Sequence, residues 1–502
     1  MIYPMSSSSH RPPLLARLGP VRLALAVLAL LLIALSWWGV LGATRGLVMR
    51  ELTGANGEPL RFVAAEGAAG VPGVVVAHGF SGSSQLMLTY AYVLARAGFG
   101  VMLLDFDGHG SAAGKLDRDG GSLQRNLDAA YAALVAQPEV DPTRVALLGH
   151  SMGSGAVMSA AVADPDRYRA TVAVSPTGAA VTPDTPPNLL LMAGSLEPNF
   201  VANGEDLLAR AGGASDDLAN GRGRDMLIIP NVEHITILFS SGSHQAALDW
   251  LNRAFDRPAA TATADRRILW YAAHVGGWLL LLTAVTPLFP AAAPLPDGAR
   301  RRPWHWVALI TGALAANGLL FLLGRLGDLS TLGGMLVGGV LALWFAAFGL
   351  VWLFSGFRAP RPSGRDALWG LVLFALLTLA FGVMAELVWI PWWLIPERLA
   401  RWPFLAAAAL PWLLAAGLAQ HRGSFLQRAG WWLLQTVVIV AGLGLAVVAN
   451  PGLFFIVLLM PVIPLISAIM AVAGAAVDRP WSYAIGNALF FGWLLVAVFP
   501  LA

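Results

Sequence analysis

The chain of 502 residues contains no cysteine and few charged residues. The absence of cysteine excludes disulfide bonds, thiolate metal sites and a cysteine nucleophile. Charged residues make up 12% of the chain, whereas about a quarter is usual in a soluble protein. Hydrophobic residues make up 57%, and the mean hydropathy is +0.66. Much of this chain is therefore expected to lie in a lipid bilayer.

The few charges are unevenly distributed along the chain. Residues 50–257 contain 14 basic and 22 acidic side chains, whereas the remainder contains 18 basic and 7 acidic ones. The basic excess lies in short loops between apolar runs, which is typical of membrane topology rather than of a surface that binds polyanions. We therefore expect a lipid bilayer as a partner and no nucleic acid.

Long apolar runs divide the chain into four parts. We predict an N-terminal tail at 1–20, a transmembrane anchor at 21–43, a domain of ordinary composition at 47–256 and a helical membrane domain at 268–501. The run at 21–43 is long enough to span a bilayer, and we favour an uncleaved anchor over a signal peptide. Eight further spans are predicted at 268–289, 304–324, 331–354, 367–390, 402–419, 430–449, 452–475 and 481–501.

The positions of the arginines predict the orientation of these spans. If the N-terminus is cytoplasmic, the loops on that side contain 12 arginines and those on the other side 6. Cytoplasmic loops are enriched in basic residues. The sequence therefore predicts a multi-pass membrane protein whose 47–256 domain lies on the extracytoplasmic side.

The 47–256 segment alternates short apolar strands with helical stretches. A turn signal at Ala55-Asn56-Gly57 indicates a hairpin between 47–52 and 60–66. Further strands are predicted at 73–77, 100–105, 145–148, 170–174, 189–192 and 226–229. Continuous apolar strands that alternate with helices indicate a mostly parallel sheet with helices on both faces.

One pentapeptide in this segment indicates a chemistry. Residues 149–153 (GHSMG) follow an apolar strand and open a helix of small residues. This is the G-x-S-x-G pattern of a nucleophile elbow, in which a sharp turn exposes the serine above a sheet. Ser151 is therefore the candidate nucleophile.

A serine alcohol needs a base within hydrogen-bond reach and an acid that orients the base. Behind such an elbow, the acid and then the histidine follow the serine along the chain. Glu197 and His234 each come directly after a late strand, and they are the candidate acid and base. Glu233 and Asp225 are alternatives for the acid, and His244 is an alternative for the base.

Two backbone amides are expected to form an oxyanion hole. One belongs to Met152, directly after the nucleophile, and the other to Phe80, in the loop after the strand at 73–77. His78, His109 and His150 are interpreted as residues that shape loops. No group of side chains has the spacing of a metal site, so we expect neither a metal nor a cofactor.

These motifs resemble the α/β-hydrolase superfamily, especially its dienelactone-hydrolase-like and acyl-peptidase-like branch. Residues 78–80 (HGF) resemble the oxyanion loop of the family, and 141–153 resemble its approach to the elbow. Residues 105–110 (DFDGHG) resemble D-x-R-G-H-G, with Asp107 where arginine is usual. Glu197 occupies a G-x-x-D position with a longer side chain. The resemblance is confined to about 47–256 and implies a serine hydrolase.

Two other features bear on function. Glu386 lies within an apolar span, where a carboxylate is costly and is a functional candidate by default.

No large cap is expected between the strands at 170–174 and 189–192, and residues 200–224 are interpreted as a small flap over an otherwise open site.

The sequence thus predicts a membrane-anchored serine hydrolase that cleaves a carboxylic ester, thioester or amide. Its predicted substrate is an acyl-containing small molecule or lipid, amphiphilic or membrane-associated. The alternatives are an acyltransferase with the same triad, a transporter or channel with a hydrolase-like sensing domain, and a non-catalytic scaffold.

Overall fold

The structure is a computed structural model that describes residues 18–117, 120–289, 294–295 and 299–502. An α-helix, α1 (Gly19–Gly42), precedes an α/β domain, and a bundle of apolar helices follows it. The domain is built on an eight-stranded sheet. Its strands are β1 (Leu47–Thr53), β2 (Pro59–Ala65), β3 (Val71–Ala77), β4 (Gly100–Leu104), β5 (Val140–His150), β6 (Ala170–Val174), β7 (Leu189–Gly194) and β8 (Arg224–Ile229).

The sheet is mostly parallel, as predicted. The strand order is β1-β2-β4-β3-β5-β6-β7-β8. Only the pairs β1–β2 and β2–β4 are antiparallel, and the expected hairpin pairs Leu52 with Leu60 across the 54–58 turn. From β4 to β8 all neighbours are parallel, so the carboxyl ends of these strands meet at one edge.

Helices cover both faces of the sheet. They are α2 (Leu88–Arg96), α3 (Gly121–Val135), α4 (Met152–Ala163), α5 (Pro198–Arg210) and α6 (Ser241–Ala254). Side chains alternate along β3: Val74 and Val76 pack with Tyr90 and Trp250 on one face, whereas Val75 packs with Leu127 on the other. Burial of each such valine is worth about 1.5–3 kcal/mol.

Eight helical segments in the described part of the chain are long and apolar enough to cross a bilayer. They are Gly19–Gly42, Arg267–Leu288, His305–Gly324, Gly338–Gly356, Gly364–Val388, Pro396–Gln420, Phe425–Ala449 and Pro480–Val498. The fifth contains a π-helical turn at Thr378–Gly382, and the sixth begins with the short helix Pro396–Leu399.

The predicted span at 452–475 is not one straight helix. A 3₁₀ segment (Pro451–Leu459) and an α-helix (Val462–Val477) meet at an angle of 46°. Pro461 lies at the break, where its missing N–H cannot continue the hydrogen-bond ladder. The described part of the chain therefore has eight candidate spans, or nine if this bent pair crosses the bilayer, which accommodates the nine predicted spans.

Small residues allow the apolar helices of the bundle to approach closely. A Cβ added to Gly349 would lie 2.1 Å from the backbone nitrogen of Trp412, and one added to Gly492 would lie 2.6 Å from that of Ala406. Such contacts between backbones are typical of helix packing in lipid.

The α/β domain is docked on the bundle by its loops at the carboxyl edge of the sheet. Arg398, 1% exposed, donates to the carbonyl oxygens of Gly108 at 2.7 Å and Gly110 at 2.8 Å. It also donates to the carbonyls of Val496 and Phe499, at the C-terminal end of the last helix. A single buried guanidinium thus ties a loop of the domain to the bundle.

Glu386 takes part in the same docking. Its carboxylate accepts a hydrogen bond of 3.0 Å from the side-chain amide of Gln85, in the loop after β3. It also accepts the backbone N–H groups of Trp392 and Trp393, where the helix has ended. The Glu386 carboxylate therefore accepts three hydrogen bonds, one from the α/β domain and two from the bundle.

Candidate active site

Ser151 lies in the turn between β5 and α4, in a backbone conformation that side chains rarely adopt, with φ 52° and ψ −121°. The two flanking glycines make this turn possible. A Cβ on Gly149 would lie 2.3 Å from the carbonyl oxygen of Gly153, and one on Gly153 would lie 2.5 Å from that of His78. Strained backbone held by close packing is characteristic of a nucleophile elbow.

The structure brings together the three residues predicted to act on the substrate. His234 Nε2 is 3.0 Å from Ser151 Oγ, and His234 Nδ1 is 2.9 Å from Glu197 Oε2. The carboxylate on Nδ1 favours the tautomer with its proton on that nitrogen, which leaves Nε2 free to accept the serine proton. This arrangement is the one that general-base activation of a serine requires.

Glu197 is held firmly on its other oxygen. Oε1 accepts the backbone N–H of Gly194 at 2.6 Å and the hydroxyl of Ser175 at 2.8 Å. These donors keep the carboxylate, which is only 6% exposed, aimed at His234. The sequence analysis missed Ser175, although its position just after β6, at the carboxyl edge of the sheet, is a signal that could have found it.

The alternative candidates for the acid and the base make hydrogen bonds elsewhere. Glu233 accepts the N–H groups of Ile235 and Thr236, and Asp225 accepts the N–H of Met226. His244 is buried and bonds the carbonyl of Leu238 at 2.8 Å. The hydrogen bonds therefore favour Glu197 and His234 over these alternatives.

The two amides proposed for the oxyanion hole are free to donate. Met152 is the first residue of α4, and Phe80 lies in the loop after β3. Among the described residues, neither backbone N–H has a hydrogen-bond partner. Phe80 and Ser151 line the same cavity.

Three buried histidines shape the loops around the serine. His78 donates from Nδ1 to the carbonyl of Gly79 and accepts the N–H of Phe106 on Nε2. His109 bonds the carbonyl of Asp107, and His150 bonds the carbonyl of His234 at 2.9 Å. Burial lowers the pKa of all three rings, which keeps them neutral.

The prediction of an open site was wrong. Ser151 and His234 face a cavity of about 280 Å³ that lies between the loops of the α/β domain and the apolar helices. Its far wall includes Trp389, Phe455 and Leu495. The error has a physical cause: spacing along the chain predicts strand ends, but not which surface of the domain packs on the bundle.

The interpretation of 200–224 as a flap was also wrong. Its first half belongs to α5, whose Leu207 packs against Leu189 and Leu191 of β7. Near the start of this helix, Phe200 stacks on His234 with 4.4 Å between ring centres. The segment between β6 and β7 contains no helix or strand, so no large cap is inserted there.

Comparison with known proteins gives a family match for the part of the chain that contains Ser151 and Glu197. Residues 72–209 match the family model of serine aminopeptidase, S33. Two uncharacterized proteins of Mycobacterium tuberculosis, from strains CDC 1551 / Oshkosh and H37Rv, are 32% identical over 126 residues, which is 25% of this chain and 44% of each relative. The match thus spans less than half the length of these relatives.

Solved structures of similar proteins include a dienelactone hydrolase from Anabaena variabilis and a bacterial heroin esterase. The first is 23% identical, with a TM-score of 0.31, over 41% of this chain and 97% of its own. The second is 17% identical, with a TM-score of 0.33, over 42% of this chain and 84% of its own. With its family-model match, parallel sheet and nucleophile elbow, the segment that contains Ser151 belongs to the α/β-hydrolase superfamily.

Proposed function

We propose that this protein is a membrane-anchored serine hydrolase that cleaves a carboxylic ester, thioester or amide through an acyl-enzyme. The observation that supports this proposal is the line of hydrogen bonds from Glu197 through His234 to Ser151, which ends at a cavity beside the membrane helices.

In the first half of the reaction, Ser151 Oγ attacks the carbonyl carbon and its proton moves to His234 Nε2. The carbonyl oxygen becomes an oxyanion, which accepts the N–H groups of Phe80 and Met152. The bond to the leaving group then breaks, and the leaving alcohol, thiol or amine takes the proton from Nε2. An acyl ester of Ser151 is left.

In the second half, water gives a proton to His234 Nε2 and attacks the acyl carbon. The bond between that carbon and Ser151 Oγ breaks, and the serine recovers the proton from Nε2. The product is a carboxylic acid. Throughout, Glu197 holds the imidazole and stabilises its cation, and each oxyanion donor contributes about 3 kcal/mol in the transition state.

The membrane setting is part of the proposal. We propose an anchor at 21–43, a catalytic domain at 47–256 on the extracytoplasmic side and a helical domain at 268–501. Eight apolar helices of spanning length, together with the excess of arginine in the loops assigned to the cytoplasm, support this arrangement. An amphiphilic substrate fits a site that adjoins both the aqueous domain and the bundle.

An activity-based probe tests the assignment of the nucleophile. Membranes containing the full chain are treated with a fluorophosphonate that carries a short alkyl group, and labelling is compared with that of Ser151→Ala. We expect the variant to lose the label completely, while Ser159→Ala in the same helix keeps it. Equal labelling of Ser151→Ala would overturn the proposed function.

A further inference from the structure

The wall of the cavity opposite Ser151 belongs entirely to the membrane bundle, and it is apolar. All 13 bundle residues that line it are hydrophobic, from three places: the break after Glu386, the bent pair at 451–477 and the end of the last helix. Among the bundle residues that the structure describes, no charged side chain lines the cavity. A wall of this composition stabilises an uncharged, apolar ligand.

The bent pair contributes the exposed part of this wall. Phe454 and Val457 of the 3₁₀ segment Pro451–Leu459 line the cavity and are 58% and 38% exposed. Exposed apolar side chains on a segment of this composition suit contact with the acyl chains of a bilayer. The structure thus places an exposed apolar segment beside the cavity that contains Ser151.

The same segment touches the oxyanion loop. The ring of Phe455 stacks on that of Phe80, with 3.9 Å between centres and 22° between planes. The backbone amide of Phe80 is the proposed donor to the substrate oxygen. The membrane segment therefore packs on the residue that holds the substrate carbonyl.

The two sides of the serine carry different groups. A leaving group must take its proton from His234 Nε2, so it lies on the histidine side of Ser151. The opposite side of the cavity is lined by Phe80 and Phe455. The apolar wall of the bundle is therefore the surface available to the acyl group.

We propose that this cavity is the binding site for the acyl chain of a lipid, which enters from the bilayer beside Pro451–Leu459. The inference rests on the proposed function and adds its substrate class: long apolar acyl esters, thioesters or amides whose more polar leaving group lies on the side of His234. The membrane bundle is then part of the active site, and not only an anchor.

Two series of soluble esters distinguish the acyl side from the leaving-group side. The purified full chain in detergent micelles is assayed with nitrophenyl esters of acids from acetate to myristate, and with acetates of alcohols of the same lengths. Each buried methylene is expected to raise kcat/KM about three- to fourfold along the acid series until the cavity is full. The alcohol series is expected to stay nearly flat. A flat acid series, or a steeper alcohol series, would contradict the proposal.

Two valines of one helix form a matched pair for the second test. Val462 lines the cavity, whereas Val472 lies on the outer surface of the same helix. We expect Val462→Trp to lower the myristate-to-acetate ratio of kcat/KM at least tenfold, and Val472→Trp to leave it unchanged. Equal ratios in both variants would show that the acyl chain binds elsewhere.

Labelling by the short fluorophosphonate separates failure of this inference from failure of the proposed function. If Ser151 is labelled but neither ester series depends on chain length, only the acyl site is wrong. If Ser151 is not labelled, the hydrolase proposal itself is wrong.

Discussion

At the scale of single residues, the site depends on a few atoms, and each is held in place by several contacts at once. Ser151 keeps a backbone conformation that only close packing of Gly149 and Gly153 allows. One carboxylate oxygen of Glu197 accepts hydrogen bonds from Gly194 and Ser175, and the other is hydrogen-bonded to His234. Because the carboxylate cannot turn without losing three hydrogen bonds, it fixes both the tautomer and the orientation of the imidazole.

The residue-scale prediction concerns this acid. Glu197→Gln keeps the size of the side chain but replaces the charged acceptor with an amide, which favours the wrong tautomer of His234. We expect kcat for a short nitrophenyl ester to fall by about 10³–10⁴. Glu233→Gln is the matched control and is expected to retain kcat within about threefold. The reverse pattern would make Glu233 the acid.

At the scale of elements, the loops at the carboxyl edge of the sheet form the site, and three buried histidines lie in these loops or at the strand end beside them. His78 shows how specific these rings are: one nitrogen donates to a carbonyl and the other accepts an N–H, so only the neutral ring satisfies both partners. His109 and His150 are fully buried as well.

This burial predicts how stability depends on pH. The pKa of each of these histidines is lowered in the folded protein, whereas unfolded histidine titrates near 6.5. Below about pH 6.5 the unfolded chain therefore binds protons that the folded chain does not, and the free energy of unfolding decreases as the pH falls. The loss is about 1.4 kcal/mol per pH unit for each ring that stays neutral.

Denaturant unfolding of the α/β domain within the full chain, followed between pH 7.5 and pH 5, measures this slope. Burial also lowers the pKa of His244 in this domain. His109→Gln therefore removes one of four buried rings and is expected to reduce their contribution to the slope by about a quarter. His305→Gln, in the membrane domain, is the control and is expected to leave it unchanged. A slope unaffected by His109→Gln would contradict the assignment.

In the apolar helices, the hydrophobic pattern of the sequence does not show where a helix bends. The predicted span at 452–475 is an apolar run, and its composition does not distinguish a straight helix from a bent one. The structure bends it at Pro461 and places the 3₁₀ half against Phe80. The contact depends on packing partners that lie far away in the chain.

At the scale of the whole molecule, the hydrolase domain and the bundle form one continuous structure around the cavity. Arg398 and Glu386 satisfy polar groups on both sides of the junction. Near the C-terminus, the N–H of Leu501 donates to the carbonyl of Gly108 at 2.9 Å. The chain thus returns from its last membrane helix to the loop that flanks the site.

The absence of cysteine makes the proposed sidedness directly testable. Ala214→Cys places one thiol on the exposed surface of the hydrolase domain, and Pro362→Cys places one in an exposed loop between membrane helices. In spheroplasts, a membrane-impermeant maleimide is expected to label Ala214→Cys at once and Pro362→Cys only after lysis. The opposite pattern would place the hydrolase domain in the cytoplasm.

The sequence by itself determined the class of fold and predicted the chemistry. Strand periodicity, the GHSMG turn and the order of Ser151, Glu197 and His234 are local signals, and a parallel sheet necessarily gathers the carboxyl ends of its strands at one edge. Only the tertiary structure supplied the hydrogen bonds that favour Glu197 over its neighbours, placed Glu386 between the domain and the bundle, and set the bundle against the site. The physical reason is that an apolar helix is equally compatible with lipid and with protein, so its sequence does not show which side of it faces Ser151.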